Sequence, residues 1–96
     1  MTQIDSDKNK FIIIEKKEDI DTYNLNSLEE WTSFLHGRIE VIELKNGSGD
    51  VMLVNENEKR NSNYSKNVNA SNIMGNMIAG NAALIKKEVI KFFDFL

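Results

Sequence analysis

Residues that could perform chemistry are few in this chain and lie far apart along it. The chain has no Cys and a single His, His36, so a thiolate nucleophile, a disulfide scaffold and a histidine-based zinc site within one chain are excluded. His36 lies at the end of a predicted helix, where the helix dipole favours positive charge. No Ser or Asp is placed beside it by the sequence, so a capping role outweighs a catalytic one.

The carboxylates do not form an acid–base pair by their spacing. Glu29 and Glu30 are adjacent on a predicted helix, so their side chains point about 100° apart. Glu40 and Glu43 lie three residues apart in a predicted strand and therefore point to opposite faces. We predict a non-enzymatic protein with no catalytic residues, no cofactor and no metal.

One basic and aromatic cluster lies in the stretch "NENEKRNSNYSKNVNASN" (55–72), in which seven of eighteen residues are Asn. Lys59, Arg60 and Lys66 surround Tyr64, a grouping that can hold a phosphate or nucleotide by charge and stacking. A solvated loop is the alternative. The net charge of −3 lacks the basic footprint of a general nucleic-acid binder, so we expect no such binding.

Composition places the chain among small globular domains. Its 96 residues are 41% hydrophobic, which suits one domain with a thin core. The longest apolar runs span four or five residues and no secretory leader is evident, so we expect no membrane segment and a cytoplasmic location. We predict a flexible N-terminus at residues 1–9 and a single α+β domain at residues 10–96.

The first half of the chain carries the clearest helix signal. In "SLEEWTSFLHG", Ser27 and Glu30 have capping-box spacing, and four apolar residues at helical spacing follow Ser27. We predict a helix over 28–36, with Gly37 as its left-handed C-terminal cap. The β-branched run "KFIIIEK" (10–16) predicts a strand before it, and the polar segment 17–26 predicts a connection.

The second half reads as strands and a terminal helix. "RIEVIEL" is apolar on both faces, which predicts a central strand with a bulge allowed, and "KNGSGD" predicts a hairpin turn. Gly80 within "NMIAGNAALI" suggests a bulge or a close backbone approach. The predicted segments are strands at 38–44, 51–54 and 76–85 and a short helix at 86–96. The fold class is therefore α+β, with a mostly antiparallel sheet of about four strands, one helix packed across a face and a short C-terminal helix.

Many weak positions over residues 10–86 give the chain a family resemblance. The pattern runs from a strand through "SLEE", a helix, "GRIEVIEL", a turn and "VMLVNE" to "NVNA" and "MIAGNAALI". It resembles a small uncharacterised domain family of bacteriophages, plasmids and other mobile elements. The matching positions are Gly37, Ile39, Glu40, Asn55, Glu56, Lys59, Asn67, Ala70, Ile78 and Gly80. Glu58 replaces the family's Gly, Val68 replaces its Arg, and its Leu-Pro after the turn is missing because the chain has no Pro.

The resemblance implies a non-essential accessory protein that counters host defence, with CRISPR effector nucleases as one class of target. An exposed helix face and the Asn-rich loop favour action by binding and occluding a host defence protein. An oligomeric sponge that sequesters a nucleotide immune signal is the alternative. The terminal "FFDFL" either closes the core or binds a partner, and a homodimer is one form of such a contact. The predicted partner-binding residues are Asn55, Glu56, Lys59, Arg60, Tyr64, Lys66, Asn67, Phe92 and Phe93.

Overall fold

One sheet of four strands organises the chain. The strands are β1 (Phe11–Ile14), β2 (Ile39–Glu43), β3 (Val51–Asn55) and β4 (Ala82–Ile85), and they lie in the order β1-β4-β3-β2. β1 runs parallel to β4, and the other two strand pairings are antiparallel. This computed structural model describes residues 10–61 and 63–96, so the predicted flexibility of residues 1–9 lies outside the described residues. The predicted α+β class is confirmed.

In the described ranges, α-helices lie between the strands and a 3₁₀ helix follows the last strand. They are α1 (Lys17–Thr22), α2 (Leu28–Leu35), α3 (Val68–Met74) and the 3₁₀ helix Lys87–Phe92. α2 begins as predicted, because Ser27 Oγ accepts from the Glu30 backbone at 3.2 Å and Glu30 Oε1 accepts from the Ser27 backbone at 3.1 Å. At its other end, His36 rather than Gly37 takes the left-handed conformation, with φ +65°.

Helices cover both faces of the sheet, whereas the sequence predicts one packed helix. On the first face, α1, α2 and the 3₁₀ helix bury a core around Trp31, Leu35 and Leu53. On the second face, α3 and the segment before β4 bury a smaller core around Met52 and Ile78. The segment 17–26, which the sequence predicts to be a connection, contains α1, and the Asn-rich stretch 55–72 overlaps most of α3. Each of these helices is too short for its periodicity to stand out from the polar residues around it.

β2 is an edge strand, so the prediction of a central strand is wrong. Its register against β3 is unbroken from Ile39–Asn55 to Glu43–Val51, so it also lacks the bulge. The two-sided apolar pattern has another cause: both faces of the sheet carry a core, and Ile39 and Ile42 pack against opposite ones.

Gly80 ends a loop rather than bulging a strand. The predicted strand 76–85 is shortened to β4, and only an isolated antiparallel bridge, Lys66–Ala79, precedes it. Gly80 has φ +85°, a left-handed conformation that favours glycine, and its N–H donates to Ser65 at 3.2 Å. The predicted helix 86–96 is likewise shortened, to a 3₁₀ helix that ends at Phe92.

The described ranges contain no helix that is long and apolar enough to span a bilayer.

Candidate functional site

Asn55 joins the end of β3 to the end of α2. Its side-chain amide donates to the carbonyls of Leu35 and His36 at 2.9 and 3.1 Å. Its side-chain oxygen accepts from the backbone of Asn57 and Glu58 at 2.8 and 2.9 Å. Asn55 is buried with these four bonds, so in this fold it holds the start of the Asn-rich stretch in place.

Asn67 has the same role at the other end of that stretch. Its side-chain oxygen caps α3 by accepting from Ala70 at 3.2 Å, and its amide donates to the carbonyls of Lys10 and Gly80 at 2.9 and 2.8 Å. A third buried amide, Asn81, accepts from the Lys10 backbone at 2.9 Å. The sequence analysis did not single out Asn81. Three buried asparagines thus fix loop backbone that contributes little apolar surface of its own.

The predicted polar partner-binding residues do not converge on one concavity. The Lys59 ammonium pairs with the Glu40 carboxylate. Glu56 Oε1 lies 3.7 Å from Nε of Arg38, the residue before β2. Arg60 and Lys66 are exposed and line two different concavities of the described surface. Tyr64, which lies between them in the sequence, is half-buried. The partner role of these residues therefore stays a prediction. Their side chains do not form one pocket that would hold a phosphate group.

The two predicted aromatic residues at the C-terminus have opposite positions. Phe93 is 8% exposed and packs edge-to-face on Trp31, with ring centroids 5.7 Å apart. Phe92 is 44% exposed, and the ammonium groups of Lys17 and Lys91 lie 5.3 and 5.4 Å from its ring centroid. Phe93 therefore closes the core, while Phe92 offers an aromatic surface to solvent that two cations hold in place.

A groove of about 600 Å³ runs beside Phe92, between α1, the start of α2 and the C-terminal segment. Its lining mixes apolar side chains with two carboxylates and one ammonium: Lys17, Ile20, Asp21, Leu25, Asn26, Ser27, Leu28, Phe92, Phe93, Asp94 and Phe95. Leu28 is 50% exposed at its edge. Leu28 and Phe95 also line a shallower concavity of about 320 Å³ that reaches β2. We call the first concavity the C-terminal groove and the second the β2 concavity.

Asp50 anchors the segment that carries Phe92. This buried carboxylate accepts from the Lys87 backbone at 2.8 Å, where the 3₁₀ helix begins, and from the Lys86 ammonium at 3.0 Å. Burial alone would raise the pKa of Asp50, but the bonds from Lys86 and the Lys87 backbone outweigh it and hold the pKa below its ordinary value. Its bond and charge in turn raise the pKa of Lys86. The hairpin turn thus fixes the start of the C-terminal segment through an ion pair.

The exposed apolar side chains of the C-terminal groove are suited to contact with another apolar surface. Within residues 10–61 and 63–96, no three His, Asp or Glu side chains come together as a metal site would require. Lys17, Leu28 and Phe95 were not among the predicted site residues, because the groove is assembled from segments that are far apart in sequence. Comparison with family models, curated proteins and solved structures found no match to this chain.

Proposed function

We propose that this protein is a non-enzymatic accessory protein of a phage or mobile element that binds a host defence protein and occludes its nucleic-acid or partner site. The class of partner comes from the sequence resemblance, with a CRISPR effector nuclease as the first to test. The protein acts in the cytoplasm of the bacterial host. The observation that carries the binding role is Phe92, an exposed aromatic ring in contact with the ammonium groups of Lys17 and Lys91 at the C-terminal groove.

The chemistry of Phe92 suits the centre of a protein interface. Aromatic residues beside a concavity supply much of the binding energy at such interfaces, because they bury a large area and lose few rotamers. The cations of Lys17 and Lys91 restrict the ring before binding, which lowers the entropy lost on association. The groove carries Asp21 and Asp94 as well, so a partner with an apolar side chain next to a basic one would match it.

The nucleotide sponge has weaker support. Its ligand would need several cations around one pocket, but Lys59 pairs with Glu40, and Arg60 and Lys66 line separate concavities. We therefore keep the sponge as an outcome of the experiment rather than as a second proposal.

The experiment measures phage plating on bacteria whose CRISPR system targets that phage, with and without expression of this chain. Expression should restore plaques for at least one effector type in a panel, and the tagged protein should co-purify with that effector. Phe92→Ala should abolish both effects, because truncating a central aromatic anchor costs about 2 kcal/mol or more of binding. Val68→Ala is the matched control, since Val68 is an exposed apolar residue on α3, which covers the other face of the sheet.

Two results would count against the proposal. The first is a panel in which no effector is blocked and none co-purifies. The second is a thermal shift of several degrees with a cyclic nucleotide at unchanged plating, which would favour the sponge.

A further inference from the structure

β2 has a free edge whose backbone groups are open to a further strand. The Glu56 N–H donates to Arg38 at 2.8 Å and the Leu44 N–H donates to Asp50 at 3.1 Å, so the residues that bracket β2 form hydrogen-bonded pairs with the β3 side. Hydrogen-bonded and non-bonded positions alternate along an antiparallel ladder. The alternate residues therefore direct their N–H and C=O away from β3, and these residues are Ile39, Val41 and Glu43. In the described ranges no strand pairs with this edge.

Apolar side chains lie beside that free edge on one face. Val41 is opposite Leu53 in the register, so it lies on the face covered by α2, yet it is 43% exposed. It lines the β2 concavity with Leu28, Ile39 and Phe95. An exposed edge next to exposed apolar side chains is a template for strand addition.

We propose that a second copy of this chain covers the edge, with β2 pairing antiparallel to β2 of that copy across a two-fold axis through Val41. The sequence around the axis is self-complementary. Ile39 lies opposite Glu43 of the other copy, Glu40 lies opposite Ile42, and the two Val41 residues lie opposite each other. No like charges face each other, and both β2 concavities meet on one face of a continuous eight-stranded sheet.

Neighbouring registers are less favourable. An axis through Glu40 would place two carboxylates directly opposite each other, which destabilises a strand pair. An axis through Ile42 would place Val41 opposite Glu43 and would separate the two exposed valines. Of these three axes, only the one through Val41 pairs the outward N–H and C=O groups of Ile39, Val41 and Glu43 with those of the other copy. It also brings the two β2 concavities into contact.

Single-cysteine variants test the register directly, because the chain has no Cys of its own. At the proposed axis the two Val41 Cα atoms would lie about 5.5 Å apart, within the range of about 4.4–6.8 Å that a disulfide spans. Under mild oxidation Val41→Cys should therefore cross-link at least about tenfold faster than a cysteine outside the interface. Ile13→Cys is the matched control, since Ile13 is an exposed β-branched residue on β1, the opposite edge strand.

Sedimentation velocity of the unmodified chain gives the second readout. The protein should sediment with twice its 11.0 kDa mass at micromolar concentration. Val41→Lys should raise the dimer dissociation constant at least about tenfold. It would place two ammonium groups opposite each other and would remove the valine side chains that the dimer buries. Circular dichroism should show that this variant stays folded, since the Val41 side chain is 43% exposed in the single chain.

Three outcomes would overturn the proposal: a monomer at all concentrations, a dimer that Val41→Lys does not weaken, or equal cross-linking of the two cysteine variants. A monomer whose edge instead accepts an extended peptide of another protein falls in the first group. Phe92 lies outside the edge, so Phe92→Ala should leave the dimer mass unchanged. The dimer and the proposed defence-protein contact can therefore fail independently.

Discussion

Replacing Asn67 by Ala should destabilise the fold far more than replacing its exposed neighbour Asn69. Asn67 lies at the start of α3 and makes three side-chain bonds to backbone, to Ala70, Lys10 and Gly80. Asn69 lies two residues later in the same helix and is exposed. Composition does not distinguish the two asparagines, so the pair isolates the effect of burial and bonding.

The magnitude follows from the bonds that are lost. Each intramolecular hydrogen bond contributes about 1 kcal/mol, and loss of an N-cap alone costs about 1 kcal/mol. Three bonds therefore give a loss of about 3 kcal/mol, which corresponds to a fall in Tm of about 12–24 °C for a domain of this size. Asn69→Ala should change the stability by less than about 0.5 kcal/mol, because Ala is the better helix former and no bond is broken.

Urea unfolding followed by Trp31 fluorescence is a suitable assay. Trp31 is the single Trp of the chain and is fully buried, so its emission reports on the main core. Asn67→Asp is a further variant: it keeps the cap oxygen but turns the amide donor into an acceptor facing the Lys10 and Gly80 carbonyls, and it should lose at least as much. If Asn67→Ala and Asn69→Ala unfold at the same urea concentration, the role assigned to Asn67 is wrong.

Two further predictions concern the C-terminal segment and its anchor. Phe93→Ala should lower the free energy of unfolding by about 3–5 kcal/mol, because it leaves a cavity against Trp31, whereas Phe92→Ala should cost less than about 1 kcal/mol; urea unfolding of both variants checks this. Because the folded-state pKa of Asp50 is depressed, its contribution to stability is present above the ordinary value of 3.8 and is lost as the pH falls through the folded value. Asp50→Asn should therefore show a flatter fall in Tm between pH 5 and acidic pH than the unmodified chain, and equal slopes would contradict the ion pair with Lys86.

The fold class could be predicted because several signals are local. The capping box at Ser27, the Asn46-Gly47 turn and the β-branched runs each act over a few residues, and the structure contains all of them. α3 also had local signals, since Asn67 caps it and Gly75 ends it with φ +79°. The surrounding asparagines obscure these helix signals, because Asn is typical of turns and loops.

Strand order could not be read from the sequence in the same way. An apolar pattern on both faces predicts a strand covered on both faces, but it does not say whether the strand is central or at an edge. β2 lies at the edge and still has that pattern, because α3 and the preceding loop cover one face of the sheet while α2 covers the other. The free edge that underlies the dimer proposal is thus a property of topology.

The different burial of Phe92 and Phe93 shows why the candidate site was also only partly predictable. Both rings sit in one apolar run, and helical periodicity cannot tell which of them faces the core in a 3₁₀ helix, where the turn is tighter than in an α-helix. Asp50, which is distant in sequence, accepts from the Lys87 backbone where the 3₁₀ helix begins. From that start Phe93 reaches Trp31 and Phe92 is left outside, beside Lys17.

The Asn-rich stretch and the C-terminal groove therefore meet different requirements. Amides at Asn55 and Asn67 satisfy backbone groups in a domain too small to bury every segment under apolar side chains. Once those amides are buried, the polar residues between them have no common pocket, and their cations find separate partners or concavities. Part of the apolar surface that the small core does not enclose is exposed at Phe92 and Leu28 beside the groove, and part is exposed elsewhere, at Val41 and Val68. The proposed partner would cover the part of this surface that lies at the groove, which is the physical reason to test the groove before the loop.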